Sequence, residues 1–145
     1  MPPSDAPTPL TLAHLTVYAS RMEAEVHFAP DAPRMSTPAL IRQLEQDFPY
    51  LGAHACVNAR GSQFADVMEH TSLAHVLEHL VIDLQVQAQR TPDTSERETT
   101  FVGTTEWVDK AAGIARVRVS FADDLVALAA FRQATEILNK LLGEV

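Results

Sequence analysis

Apolar and polar residues alternate in two stretches near the N-terminus and in two stretches near the C-terminus. A period of two residues is typical of strands with one buried and one exposed face. The pattern predicts strands at Leu12–Tyr18, Glu23–Phe28, Phe101–Val108 and Ile114–Phe121. Within each pair the strands are joined by a short connection, so we expect them to run antiparallel.

Three other stretches have apolar residues at helical spacing, and each begins beside a residue whose side chain can cap a helix N-terminus. The predicted helices run from Ser36 or Thr37 to Pro49, from Thr71 or Ser72 to about Gln87, and from Asp123 or Asp124 to about Leu142. Between the first two helices, Tyr50 to Ser62 has no apolar period and is predicted to be irregular. A short helical turn is predicted at Phe64–Met68.

The remaining segments are polar or rich in proline. Residues 1–10 contain four prolines and predict a disordered tail, while Ala88 to Thr100 predicts an irregular connection. The element order β-β-α-α-β-β-α predicts an α+β fold in which an antiparallel sheet of about four strands packs against three helices. We expect this two-layer sandwich to form a single domain over residues 11–145.

Composition narrows the classes of partner. The chain has 145 residues and a formal net charge of −8, which argues against nucleic acid and against membranes as partners. One cysteine, Cys56, excludes an intramolecular disulfide. Neither a signal peptide nor an apolar run of about 20 residues is present. We therefore expect a cytoplasmic protein.

The candidate chemistry lies in the second helix, where residues 75–79 read H-x-x-E-H. His75 and His79 are one helical turn apart on the same face, so both imidazoles can bind one zinc ion. Glu78 beside them is predicted to be the catalytic group, because a carboxylate there can take a proton from a zinc-bound water. The alternative is a surface cluster of histidines and carboxylates without a metal.

A third zinc ligand is required, and Asp83 on the same helix face is the first candidate. Two helical turns would separate Asp83 from His75 by about 11 Å along the axis, which is strained against metal–ligand bonds of about 2 Å. The third ligand can instead come from another element, and then Asp83 would orient His79. The candidates from other elements are Glu106, Glu69 and His54.

Three further residues have side chains that could take part in the site. Arg60 and Arg97 are candidates for binding a carboxylate of a peptide substrate through a bidentate contact, with a solvated loop arginine as the alternative for each. Cys56 lies near His54 in the sequence, but no third group that could orient a thiol nucleophile is evident. We therefore do not expect Cys56 to act as a nucleophile.

Three segments of the chain resemble the N-terminal domain of cyanophycin synthetases: Phe48–Cys56, Arg60–Phe64 and Thr71–Gln85. The family pattern there reads P-x-L-x-x-H-x-C, then R-G-G-F, then G-T-x-x-G-H-V-x-E-H-x-x-x-E-L-Q. The resemblance covers roughly residues 12–143. This chain departs from the pattern at Ser62, at His70 and Ala74, where the family has glycine, and at Asp83, where the family has glutamate.

The resemblance implies an α+β module that in the family precedes an ATP-grasp domain and a Mur-ligase-like domain. In some members this module has a metal-dependent site that cleaves an aspartate polymer bearing arginine and so makes primers for synthesis. By this resemblance His75 and His79 would be zinc ligands and Glu78 the catalytic carboxylate. The sequence contains neither ligase domain, so we expect no polymer synthesis by this chain.

Two functions from different classes follow. The first is a zinc-dependent peptidase or amidohydrolase that cleaves a peptide or isopeptide amide, with a cyanophycin-like Asp/Arg substrate as the candidate. The second is a non-catalytic module that binds a peptide or polymer for a separately encoded ligase. A homo-oligomer of the chain is compatible with either function.

Overall fold

The computed structural model describes residues 8–58, 60–89 and 101–143. Within these ranges the elements in chain order are β1 (Leu10–Val17), β2 (Arg21–Phe28), α1 (Pro38–Asp47), β3 (Ala55–Asn58), β4 (Gly61–Gln63), α2 (Leu73–Gln89), β5 (Gly103–Asp109), β6 (Ile114–Ser120) and α3 (Asp124–Gly143). Short 3-10 turns at Leu51–Ala53 and Phe64–Asp66 flank the β3–β4 hairpin. The predicted α+β fold is confirmed.

The main sheet has the strand order β1-β2-β6-β5, and every neighbouring pair is antiparallel. Alternation along β2 and β6 separates two faces. The inward-facing residues of these strands are buried, and they are Met22, Ala24, Val26, Phe28, Ala115, Val117 and Val119. On the other face, Glu23 forms ion pairs with Arg116 and Arg118 at 3.2 and 2.7 Å.

The helices cover the apolar face of the sheet. α2 packs against β5 and β6, α3 packs against β1 and β2, and the two helices contact each other. Helices α1 and α2 begin where the sequence predicts, each at a side-chain hydrogen bond of a capping residue. Thr37 Oγ1 accepts a hydrogen bond from Leu40 N at 3.2 Å, and Ser72 Oγ accepts one from His75 N at 3.1 Å. In the described part of the chain no helix combines the length and apolar character needed to cross a membrane.

The segment Tyr50–Ser62 is not irregular throughout, and this prediction is corrected. It contains the first 3-10 turn, strand β3 and the start of β4. β3 and β4 pair antiparallel, with Ala55 opposite Gln63 and Asn58 opposite Gly61. Strands this short do not show a period of two residues, so backbone pairing forms the hairpin without a signal in the apolar pattern.

Several predictions concern residues outside the described ranges. These are residues 1–7 of the predicted tail and most of the predicted connection, including Arg97. Ala88 and Gln89, at the start of that connection, belong to the last turn of α2. β1 begins at Leu10, which is buried and whose N–H donates to Asn139 Oδ1 at 2.9 Å.

Candidate metal centre

Helix α2 brings ionisable side chains into the core. Glu78 is 5% exposed, His79 2% and Asp83 7%, whereas His75 is half-buried. Buried polar groups are costly unless they have hydrogen-bond partners. In the described residues no buried side-chain nitrogen or oxygen lacks one. The partners of these four side chains therefore define the chemistry of the site.

His75 lies between a hydroxyl and a thiol. Its Nδ1 is 2.9 Å from Thr71 Oγ1, and its Nε2 is 3.4 Å from Cys56 Sγ. Burial lowers the pKa of His75, which favours the neutral imidazole. When Nδ1–H donates to Thr71, the lone pair of Nε2 points toward Cys56.

His79 stacks on the ring of Phe64 and contacts a second histidine, His54. The Phe64 ring stacks on it with centroids 3.9 Å apart and planes 13° apart. His79 Nδ1 is 3.1 Å from Nδ1 of His54, and His54 Nε2 is 3.2 Å from Asp83 Oδ2. Burial, and after it the proximity of His75 and His54, lowers the pKa of His79 to about 3, so this ring is neutral at physiological pH.

One arrangement of protons satisfies both contacts of a neutral His54. His54 Nε2–H donates to Asp83, so His54 Nδ1 is an acceptor and His79 Nδ1–H donates to it. The lone pair of His79 Nε2 is then left for another partner. Asp83 thus acts on His79 through His54, as a carboxylate that orients a histidine from a distance.

Cys56, His75 and His79 form a cluster whose ligand atoms all lie within 4.8 Å of one another. In a tetrahedral zinc site with bonds of about 2.0–2.3 Å, neighbouring ligand atoms are about 3.3–3.8 Å apart. The 3.4 Å between Cys56 Sγ and His75 Nε2 falls in this range. A thiolate and two imidazoles suit zinc, and three protein ligands are the number found in catalytic zinc sites.

Glu78 lies beside the cluster, between α2 and β5. Its Oε1 accepts a hydrogen bond from Thr105 Oγ1 at 2.8 Å, and its Oε2 is 3.5 Å from His79 Nε2. Burial raises the pKa of Glu78 to about 7, against the opposing effects of the Thr105 hydrogen bond and of His54. At neutral pH both its protonated and its ionised form are therefore populated.

Gly103 on β5 allows this close approach of strand and helix. A Cβ atom at this position would lie 2.8 Å from Glu78 Cγ and 3.0 Å from the backbone oxygen of Arg118. Real Cβ atoms do not make the first of these contacts, so a side chain here would displace the Glu78 side chain or move β5 away from α2. The glycine keeps the Glu78 carboxylate within reach of Thr105.

The other candidate residues are placed as follows. Asp83 lies outside the cluster and contacts His54, while Glu106 pairs with Arg116 and Arg118 on the opposite face of the sheet. Glu69 is exposed, and so is Arg60, which precedes β4. Arg97 lies outside the described residues.

Sequence reasoning missed Cys56 as a member of the cluster, along with the supporting contacts of Thr71, Thr105 and Phe64. The candidate third ligands predicted from the sequence do not include Cys56. The signal that could have found it is its place two residues after His54, in the H-x-C part of the family pattern. Thr71 and Thr105 have no comparable signal, because their contacts depend on the packing of α2.

Comparison with known families gives one match. The model of a family described as "Cyanophycin synthase-like N-terminal domain" matches residues 21–143. The matched range contains Cys56, His75, Glu78 and His79, together with every element from β2 to α3. No curated protein and no solved structure matches the chain.

Proposed function

The chain belongs to the family of cyanophycin synthase-like N-terminal domains, and on this premise we propose that it is a metal-dependent hydrolase of peptide or isopeptide amides. The observation that carries the proposal is the cluster of Cys56, His75 and His79 with the buried carboxylate of Glu78 beside it. A half-buried thiol and two neutral imidazoles are a donor set that fits zinc.

Cys56, His75 and His79 would hold the ion. When bound, zinc supplies a positive charge that polarises an amide carbonyl and makes water more acidic. Thr71 and His54 would keep the two imidazoles in the tautomer that leaves each Nε2 free. A reducing compartment such as the cytoplasm would keep the Cys56 thiol available.

Glu78 would transfer the proton. With Oε1 held by Thr105, Oε2 is the oxygen that takes a proton from the attacking water as the new C–O bond forms. The same oxygen then gives that proton to the amine as the C–N bond breaks. In the metal-free chain burial raises the pKa of Glu78 to about 7, which brings this carboxyl toward the range in which it can both accept and donate a proton at neutral pH.

For the substrate we propose an amide of the Asp/Arg type found in cyanophycin. The family description supports this choice, and the net charge of −8 suits a substrate that bears arginine. Arg60 and Arg97 remain predicted contacts for a substrate carboxylate. A homo-oligomer or a separate ligase remains a predicted partner.

The test combines metal content with amide cleavage in two variants. We expect the wild-type chain to bind about one zinc and to cleave an arginine-bearing aspartate polymer. Glu78→Gln should keep the zinc and lose roughly 10²- to 10⁴-fold in rate. Cys56→Ser should lose both zinc and activity.

Glu69→Gln is the matched control, because it removes an exposed carboxylate and should change neither readout. A wild-type chain without zinc after reconstitution would contradict the proposal, as would full activity in Glu78→Gln. Polymer binding without cleavage in the zinc-loaded chain would favour the non-catalytic module.

A further inference from the structure

β5 is an edge strand of the main sheet, since β6 is its only neighbour among the described strands. In an antiparallel pair, successive residues alternate between facing the partner strand and facing away from it. Ser120 N donates to Val102 O at 2.8 Å, and the register places Thr104 opposite Arg118. Thr104 and Glu106 therefore direct their backbone groups to β6.

The backbone N–H and C=O groups of Gly103, Thr105 and Trp107 consequently point away from the sheet. Outside the strand ladders, no backbone hydrogen bond between described residues involves these groups. Such an edge is a template for pairing with another extended chain. It spans five residues, which corresponds to a length of about 14 Å in a strand.

Two residues of this edge, Gly103 and Thr105, also lie against Glu78. The Thr105 hydroxyl donates to the Glu78 carboxylate, and Gly103 is so close that a Cβ would collide with it. The segment with His54, Cys56 and Phe64 contacts His75 and His79. Through Glu78, which contacts both Thr105 and His79, the cluster is therefore linked to the outer edge of β5 as well as to the β3–β4 hairpin.

We propose that the outer edge of β5, unpaired among the described strands, binds the substrate as an extended peptide strand, through backbone hydrogen bonds to Gly103, Thr105 and Trp107. The inference rests on the proposed function, because it specifies how an amide reaches Glu78. Strand addition obtains affinity from main-chain hydrogen bonds and leaves alternate side chains to determine specificity. The site therefore selects a segment of at least about five residues with unmodified backbone amides.

The experiment measures amide hydrogen exchange along β5 by NMR in the Glu78→Gln chain, which binds without turnover. The probe is ten aspartates joined through their α-amides, with arginine on each side-chain carboxyl. We expect exchange of Gly103, Thr105 and Trp107 to slow about tenfold at a probe concentration roughly nine times Kd. Thr104 and Glu106 are internal controls, because their amides already face β6 and should not change.

A second probe tests the backbone bonds from the ligand side. Methylation of every backbone nitrogen of the decamer should abolish the protection, whereas methylation of alternate nitrogens should leave it, since one edge of the ligand stays free. The same measurement on the metal-free wild-type chain shows whether protection also occurs without the Glu78→Gln substitution. Equal binding of the fully methylated decamer, or absence of protection at Gly103, Thr105 and Trp107, would overturn the inference.

The outcomes separate this inference from the proposed function. Cleavage of the decamer by the wild-type chain without edge protection would overturn strand addition and leave the hydrolase intact. Protection of the edge without any cleavage would support substrate binding by strand addition and contradict the proposed hydrolase activity.

Discussion

Asp83 shows how a residue can support a candidate metal site without belonging to its cluster of ligand residues. Its Oδ2 is 3.2 Å from His54 Nε2, and its Oδ1 accepts a hydrogen bond from Gln87 Nε2 at 2.8 Å. His54 in turn contacts His79. The carboxylate therefore influences the His79 tautomer through one intervening ring.

Asp83→Asn should weaken zinc binding while leaving the fold intact. The amide carries no charge and holds His54 less firmly, so the His79 tautomer is no longer enforced. Loss of such a supporting contact typically lowers metal affinity by about 10- to 100-fold. Competition with a chromophoric chelator measures the affinity.

Gln87→Ala is the control for this variant, because it removes only the other contact of Asp83. Its zinc affinity should equal that of the wild type. An unchanged affinity in Asp83→Asn would show that His79 needs no such support.

The buried Glu78 carboxyl should cost stability at high pH in the metal-free chain. Its pKa is raised by burial from 4.5 to about 7. The folded state favours the protonated form of Glu78. The stability that this preference contributes is fully present below about pH 4.5 and is lost as pH rises through about 7. At about 1.4 kcal/mol per unit of difference between the folded and unfolded pKa, the loss is at most about 3.5 kcal/mol.

Urea unfolding of metal-free Glu78→Gln checks this linkage. The variant should match the wild type at pH 4 and exceed it at pH 8, because glutamine has no charge to bury. Glu69→Gln, at an exposed position, should show no such divergence. Parallel stability curves for Glu78→Gln and wild type would contradict the pKa assignment.

At the scale of elements, the sequence predicts those that have a long period or a clear cap. Alternation over seven or eight residues identifies β2 and β6, and hydroxyl caps identify the starts of α1 and α2. The β3–β4 hairpin has strands of four and three residues, too short for any period. Because Cys56 lies in that hairpin, neither a period nor a cap predicts its contact with α2, and the H-x-C pattern is the signal that remains; the H-x-x-E-H spacing predicts that His75, Glu78 and His79 lie together.

Gly103→Ala tests the packing of β5 on α2. The added Cβ would meet Glu78 Cγ at 2.8 Å and a backbone oxygen at 3.0 Å, so the Glu78 side chain or the strand must shift. We expect a loss of about 1–3 kcal/mol in the free energy of unfolding, as for other overpacked sites. Urea unfolding measures it.

Gly143→Ala is the matched control, since a Cβ there meets nothing within 4 Å. Its stability should be unchanged or slightly raised, because alanine favours a helix more than glycine does. A Gly103→Ala chain as stable as the wild type would mean that β5 and α2 separate without cost.

At the scale of the whole molecule, the two faces of the sheet have different roles. The inner face carries the core and the buried carboxylate. The outer face carries an exposed ion-pair ladder in which Glu106 contacts Arg116 and Arg118, each at 3.2 Å. Exposed pairs of this kind contribute about 0–1 kcal/mol each, so the stability of the molecule depends mainly on the layer between sheet and helices.

Zinc should stabilise the whole domain, because its three candidate ligands join α2 to the hairpin. A ligand that binds only the folded state adds about 2.7 kcal/mol at 100 times its Kd. Thermal unfolding with zinc and with a chelator should therefore give different midpoints. Cys56→Ser should melt at one temperature in both conditions, and a zinc-dependent midpoint in this variant would exclude Cys56 as a ligand.

Phe64 ties the motion of His79 to that of the hairpin. Its ring lies flat on the imidazole, and its backbone N–H donates to His54 O at 2.9 Å. Because both rings are almost fully buried, turning the imidazole away would break this stacking and disturb the packing of the hairpin. Release of a bound ion would then require local opening, on a scale of microseconds to seconds, and not the nanosecond flip of one side chain. The domain would thus hold its ion kinetically, for longer than the affinity of three ligands alone would suggest.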